Sequence, residues 1–192
     1  MEPKGYEQWY GNWTYVLVAT VKSFPLKKYR FLYVPEIGLS FLSFFLNFFW
    51  EVAQTYFYTF KDSPFDTMLY GWLHCAWVDV MIILGCFWLV CLVSRNRRWF
   101  LRLNKVNFAC FVMAGVVYTT FSEWANVQVF GSWSYNEAMP TIPPIGVGLT
   151  PILQWIVIPS ITILLMRHYL SLAQVAVETR SSGKDTDGLK TP

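Results

Sequence analysis

"LNFFWEVAQ", residues 46–54, sets Asn47, Glu51 and Gln54 inside an apolar run. A carboxylate at membrane depth costs several kcal/mol unless neighbouring groups offset it. What offsets Glu51 therefore decides how the rest of the chain must pack.

The surroundings of this stretch are those of a membrane protein. Of 192 residues, 55% are hydrophobic, 19% aromatic and 14% charged, against about 25% charged in soluble domains. Four apolar runs, 37–58, 69–93, 107–130 and 145–166, reach the roughly 20 residues that a bilayer crossing needs. Pro35 suits the first turn of the first run. The Val- and Ile-rich stretches still read as helix, because lone strands cannot span lipid. The expected fold is all-α, an integral membrane four-helix bundle occupying residues 37–170. Residues 1–36 precede it, and "WTYVLVATVKSF" within them is too short to cross; an N-terminal interfacial helix is expected there. Residues 171–192 end in "ETRSSGKDTDGLKTP", polar and without apolar period, and are expected to form a disordered cytoplasmic tail. No cleavable signal peptide and no internal repeat is visible. Cys75, Cys86, Cys91 and Cys110 form no C-x-x-C pair and read as small buried hydrophobes.

Orientation follows from Lys and Arg. Lys22, Lys27, Lys28 and Arg30 precede the first run; Arg95, Arg97, Arg98, Arg102 and Lys105 lie between the second and third; Arg167, His168 and Arg180 follow the fourth. The loop after the first run has one lysine, Lys61, against Asp62 and Asp66, and the loop after the third has no Lys or Arg. Both termini are expected to be cytoplasmic and these two loops external. The net charge of +3 is accounted for by such clusters, and no nucleic-acid surface is read from it.

With that topology, the strongest polar groups share one depth. At 1.5 Å per residue, Glu51 and Glu123 fall about 10 Å below the outer ends of their helices, His74 about 8 Å, Gln154 about 13 Å and Asp79 about 15 Å. Asn47, Trp50, Glu51 and Gln54 form one helical stripe. Thr119, Glu123 and Asn126 form a second, Thr150 and Gln154 a third, and Tyr70, His74 and Trp77 a fourth. Asp79 lies about 140° around its helix from His74, and either lines a broad cavity or faces another neighbour. Glu51 is thus expected to meet Gln54, His74, Glu123 or Asp79 in the bundle interior. The segment "FGSWSYNEAMPTIPPIGVGLTP", 130–151, is rich in Gly and Pro and carries Trp133 and Tyr135; it is placed to cap the polar slab.

Hydrogen bonding between helices is one use for such a slab, but it does not need acids. No Ser or Cys beside a His forms a nucleophilic triad, and no phosphate loop or haem motif is present. General acid–base work on an apolar substrate fits better. One carboxyl can protonate an alkene or open an epoxide, another can take a proton away, and aromatic faces stabilise a developing cation. Glu51 is the candidate acid, with Glu123 or Asp79 as base or charge balance. Asn47, Trp50, Gln54, His74, Trp77, Trp133, Tyr135 and Gln154 are the candidate substrate-binding residues. No cofactor is implied, although Glu51, His74, Asp79 and Glu123 offer a mixed N/O set that could hold a metal ion. The expected partners are membrane lipids and an apolar small molecule. A reading from another class is a non-enzymatic membrane module that binds a metal or small solute, or serves as an accessory subunit of a membrane complex.

"NFFWE", residues 47–51, resembles the Asn-x-x-Trp-Glu segment of membrane-bound terpene cyclases, which implies a proton donor at Glu51. Those cyclases have more spans than the four read here, and their second acid lies in a late helix. "GSWSY" at 131–135, followed by a Pro-rich segment, is similar to the small-helix lycopene cyclase group, whose Pro-x-Glu-Glu motif is replaced by "TPILQW". The whole pattern of "LNFFWE", "LHCAWVD", "EWANVQVFGSWSYNEAMP" and "GVGLTPILQW" resembles a group of small bacterial four-helix membrane proteins with no assigned activity. It implies the bacterial inner membrane and no particular chemistry.

Overall fold

The computed structural model describes residues 34–187. Four long helices dominate it: α1 (Pro35–Gln54), α2 (Phe65–Ser94), α3 (Lys105–Trp124) and α4 (Leu149–Asp187). Each contains a segment long and apolar enough to cross a membrane. Residues Pro35–Met166 form one compact unit, in which α1 packs on α2 and α2 on α3. The fold is all-α apart from one two-residue hairpin, β1 (Thr141–Ile142) and β2 (Val147–Gly148), with Thr141 opposite Gly148.

Local chemistry explains the helix ends. Pro35 and Glu36 occupy the first turn of α1, where a missing N–H is harmless and an acid favours the helix dipole. Helix α2 ends at Ser94 with Arg95 left-handed at φ 51°. The Arg95 N–H donates to Leu92 O at 3.3 Å and the Asn96 N–H to Cys91 O at 3.2 Å, a Schellman closure. Asn104 caps α3, its side chain accepting from the Val106 N–H at 3.0 Å. Beyond Trp124, α3 widens into a π-helical turn, Ala125–Phe130, which Gly131 ends at φ 62°.

The expected first run, 37–58, is shorter as α-helix. It gives way at Thr55 to two 3₁₀ turns, Thr55–Phe57 and Thr59–Asp62. The segment 171–187, expected to be disordered, instead continues α4. Extending an existing helix needs no new nucleus, and "AQVAVETR" is rich in helix-favouring residues. The expected interfacial helix before Val34 lies outside the described residues.

Polarity is distributed inside out relative to a water-soluble domain. Ser43, Asn47, Gln54, Thr119, Glu123, Gln154 and Thr162 are buried, while Phe41, Phe49, Leu92, Val93, Val117, Phe121 and Phe130 are exposed. The informative deviations from the usual arrangement are a buried polar group and a large exposed apolar face, and this chain has both. Cys86 and Cys91 are buried, but Cys110 is exposed and Cys75 half-buried, so two of the four cysteines depart from the expected burial.

One end of the unit is closed by aromatic packing. Trp99 and Phe100, in the α2–α3 loop, are buried. Trp99 lies 6.0 Å from Phe87 and 5.5 Å from Phe111, centroid to centroid. At this end Arg97 holds Glu36 through two hydrogen bonds, 3.0 and 2.8 Å. The opposite end is where the α1–α2 and α3–α4 connections meet. The Thr59 N–H donates to Ser134 O at 3.1 Å, the Asn136 N–H to Phe57 O at 3.0 Å, and Tyr58 bridges Tyr135.

Helices α3 and α4 touch where Gly115 faces Trp155. A Cβ at Gly115 would come within 2.1 Å of Trp155 Cε3, and Trp155 is buried, so the ring has little room to yield. Overpacking of this kind costs about 1–3 kcal/mol. Gly115→Val is therefore expected to lower the thermal midpoint of the purified protein by several degrees. An unchanged midpoint would show that α3 and α4 do not need this close contact.

Candidate functional site

The buried polar groups converge above the aromatic closure, and Gln154 is their hub. Three periodic constraints bring them together. On α1, Asn47, Glu51 and Gln54 follow one another at helical spacing. On α4, Gln154 lies one and a half turns from the helix start. On α2, Asp79 shares a face with the buried Ala76, Val80 and Ile83. The Gln154 side-chain nitrogen has Asn47 Oδ1 at 2.9 Å, Glu51 Oε1 at 3.1 Å and Asp79 Oδ2 at 2.9 Å. Its carbonyl accepts from Gln54 Nε2 at 3.3 Å, and that same nitrogen donates to Glu51 Oε1 at 2.9 Å. Trp50 Nε1 donates to Gln54 Oε1 at 3.1 Å. An amide nitrogen carries two hydrogens, so three oxygens compete for two donors.

Glu123 is held separately. Its Oε2 accepts from the Tyr135 hydroxyl at 2.5 Å and from Trp133 Nε1 at 3.4 Å. Tyr135 Oη in turn accepts from the Gly148 N–H at 3.0 Å. Burial, and then the hydrogen bond to Glu123, push the ionisation of Tyr135 well above the ordinary phenol range. Burial, and then the charge of Glu123, do the same to Tyr58. Both phenols therefore stay protonated near neutral pH, and Tyr135 remains a donor to Glu123. The 130–151 segment thus closes over the polar slab with two of its aromatic side chains bonded to an acid below it.

Glu51, Asp79 and Glu123 all line one cavity of about 350 Å³, within the usual range of about 300–1,000 Å³ for small-molecule sites. Its wall is otherwise aromatic and apolar, with Tyr58, Phe60, Trp72, Tyr118, Trp133 and Trp155 prominent. Gln54, Thr119, Ser122 and Gln154 add polar groups, and His74 stands among the lining residues although it is exposed. Trp72 is fixed by donating to Thr55 Oγ1 at 2.7 Å, which itself bonds Glu51 O at 2.7 Å.

Of the expected partners of Glu51, Gln54 reaches it directly, and Gln154 joins from α4. Asn47, Glu51, Gln54, Asp79 and Gln154 are brought together; Glu123, Trp133 and Tyr135 form the adjoining group. Trp50 touches the network through Gln54 and does not line the cavity. Of the stripe Tyr70, His74 and Trp77, only His74 reaches the cavity, at its rim; Tyr70 and Trp77 do not face inward as expected. Tyr70 is 71% and Trp77 59% exposed, and His74 stacks on Tyr70 at 5.8 Å. Turning that stripe inward would have turned Asp79 outward, and the carboxylate is the costlier group to leave in an apolar medium. The inward face of α2 instead runs through Trp72, Cys75, Asp79 and Ile82. Trp72, Tyr58 and Trp155 were not expected at the site; Trp72 could have been found by counting one and two turns back from Asp79. Among the described residues no group of three or more His, Cys, Asp or Glu is placed to hold a metal ion, so the mixed N/O set that Glu51, His74, Asp79 and Glu123 could have offered is not assembled.

The hub yields a prediction. Interhelical hydrogen bonds inside membrane proteins contribute about 0.6 kcal/mol on average and about 1.7 at most, and Gln154 joins α4 to both α1 and α2. Gln154→Leu is expected to destabilise the protein by about 1–3 kcal/mol, since it also strands buried acceptors. Denaturant titration in detergent checks this. A variant as stable as wild type would mean that the network does not hold the helices together.

No protein-family model matches the chain, and no curated protein or solved structure shows a significant match.

Proposed function

We propose that this chain is a multi-pass protein of the bacterial inner membrane whose cavity performs acid–base chemistry on a lipid or isoprenoid, of the cyclase, isomerase or hydratase type. The observation that carries this reading is that carboxyl groups from three helices, Glu51, Asp79 and Glu123, line one aromatic-walled cavity. In this scheme Glu51 delivers a proton to one carbon of an alkene, and the π electrons form the new C–H bond. The resulting cation lies against the faces of Trp72, Tyr118 and Trp155. Asp79 or Glu123 then takes a proton from a neighbouring carbon and restores a double bond. Substrate and product are then isomers, and return of the proton from Asp79 or Glu123 to Glu51, directly or through water, restores the site; the hydratase variant adds one water to the cation. The local similarity of "NFFWE" to membrane-bound terpene cyclases supports Glu51 as the donor.

The membrane setting is supported by the exposed Phe, Leu and Val side chains and by the four apolar helices. Orientation is supported by the clustering of Arg95, Arg97, Arg98 and Arg102 in the α2–α3 loop, the kind of segment retained in the cytoplasm. Reporter fusions after Asp62 and Tyr135 are expected to read as external, and fusions after Arg98 and Arg180 as cytoplasmic. A reversed pair would overturn the assignment of the cavity to the outer half.

The chemistry is tested by isotope exchange. Membranes containing the protein, incubated in heavy water with unsaturated isoprenoid lipids, are expected to place deuterium on lipid carbon. Because general acid–base catalysis contributes about 10²–10⁴-fold, Glu51→Gln should reduce incorporation at least about 100-fold while keeping the wild-type thermal midpoint. Equal incorporation by a folded Glu51→Gln variant would refute the assignment.

A further inference from the structure

The composition of the cavity wall restricts the charge of its occupant. Among the described residues three carboxyl-bearing side chains line it, with His74 at its exposed rim and no Lys or Arg. A phosphate, diphosphate or carboxylate placed there would face acids with no guanidinium or ammonium to pair with. Each of two acids also keeps one oxygen outside the amide network. Glu51 receives its hydrogen bonds on Oε1 and Asp79 on Oδ2. Glu51 Oε2 and Asp79 Oδ1 receive none from the described residues, although both side chains face the cavity. The two N–H groups of Gln154 are already shared among three oxygens. The remaining wall is aromatic, and aromatic faces attract cations.

We infer that the cavity binds a lipophilic organic cation, an alkylammonium whose nitrogen lies between Glu51 and Asp79 and whose alkyl part rests on Trp72, Tyr118 and Trp155. An ammonium N–H donates to the carboxyl oxygens of this pair, and its charge offsets a carboxylate there in a medium where a lone carboxylate is costly. The alkyl groups next to the nitrogen are suited to the aromatic faces, and the chain to the apolar wall. The inference rests on the proposed use of this cavity as the working site, but not on the proton-transfer step.

The test uses the full chain in phosphatidylcholine nanodiscs near neutral pH, read by tryptophan fluorescence because Trp72, Trp133 and Trp155 line the cavity. Empty nanodiscs correct for partitioning into lipid. Three probes of similar shape are compared: N,N-dimethyloctylamine, its neutral isostere 2-methyldecane, and decanoate. The amine is expected to bind saturably, at least tenfold more tightly than 2-methyldecane, and decanoate not at all. Glu51→Gln and Asp79→Asn should each weaken amine binding tenfold or more and leave 2-methyldecane binding unchanged. Equal binding of amine and isostere by the folded wild-type protein would overturn the inference, as would tighter binding of decanoate; neither comparison depends on a variant folding. Selective amine binding without deuterium exchange would remove the proton-transfer reading alone. Exchange without amine selectivity would remove this inference alone.

Discussion

The fold is organised around acids that must lie inside apolar helices. Glu51, Asp79 and Glu123 each stand in a segment apolar enough to cross a membrane, where an unserved carboxylate costs several kcal/mol. Glu51 is served partly by Gln54 of its own helix, and all three draw on groups that other parts of the chain bring to them. Gln154 of α4 reaches α1 and α2 at once, and the segment after α3 folds back to serve Glu123. The rotation of α2 about its axis follows from the same requirement: Asp79 faces Gln154, and the aromatic Tyr70 and Trp77, whose outward placement is cheap in an apolar medium, are left on the surface.

The closure over the cavity has the same logic. Tyr135 accepts from the Gly148 backbone and donates to Glu123, so one hydroxyl ties the β2 strand to an acid of α3. The turn that makes this possible needs a positive φ at Gly146, 65°, whose N–H closes on Ile142 O at 3.0 Å. Any side chain at Gly148 would meet Tyr135 Cζ at 3.1 Å. The cap is therefore held to the cavity by specific polar contacts, and Asn136, which bonds the backbone of Tyr56, ties it to the α1–α2 connection as well.

Much of this was legible in the sequence, for physical reasons. Apolar runs of bilayer length mark four helices, and polar residues at i, i+3, i+4 and i+7 mark the inward stripe of α1. What periodicity alone does not supply is the rotation of α2. Tyr70, His74 and Trp77 form as regular a stripe as the one through Trp72, Cys75 and Asp79. Ranking the two requires the cost of leaving Asp79 unserved against the cost of leaving His74 at the rim. The importance of Gln154 was also only half visible: its depth could be counted, but its reach to two helices depends on how closely α4 approaches. That approach rests on Gly115, an ordinary glycine in sequence and the contact point for Trp155 in three dimensions.

The polar network also differs in kind from one that serves only to join helices. A structural network inside an apolar medium is most favourable when every acceptor has a donor, since a partly satisfied network is worse than an apolar contact. Here the balance is uneven. Gln54 and Gln154 bring the amide hydrogens, and they meet two carboxyl groups together with the carbonyl oxygens of Asn47 and Gln154 itself. The indole donor of Trp50 is taken by Gln54. Replacing the two acids by amides would keep the shape and remove the shortage, so joining helices does not account for acids at these positions. Both acids line the cavity, so a group there with a proton or a positive charge would meet them directly. The helices that carry the acids, with α4 joined through Gln154, hold them at that one cavity.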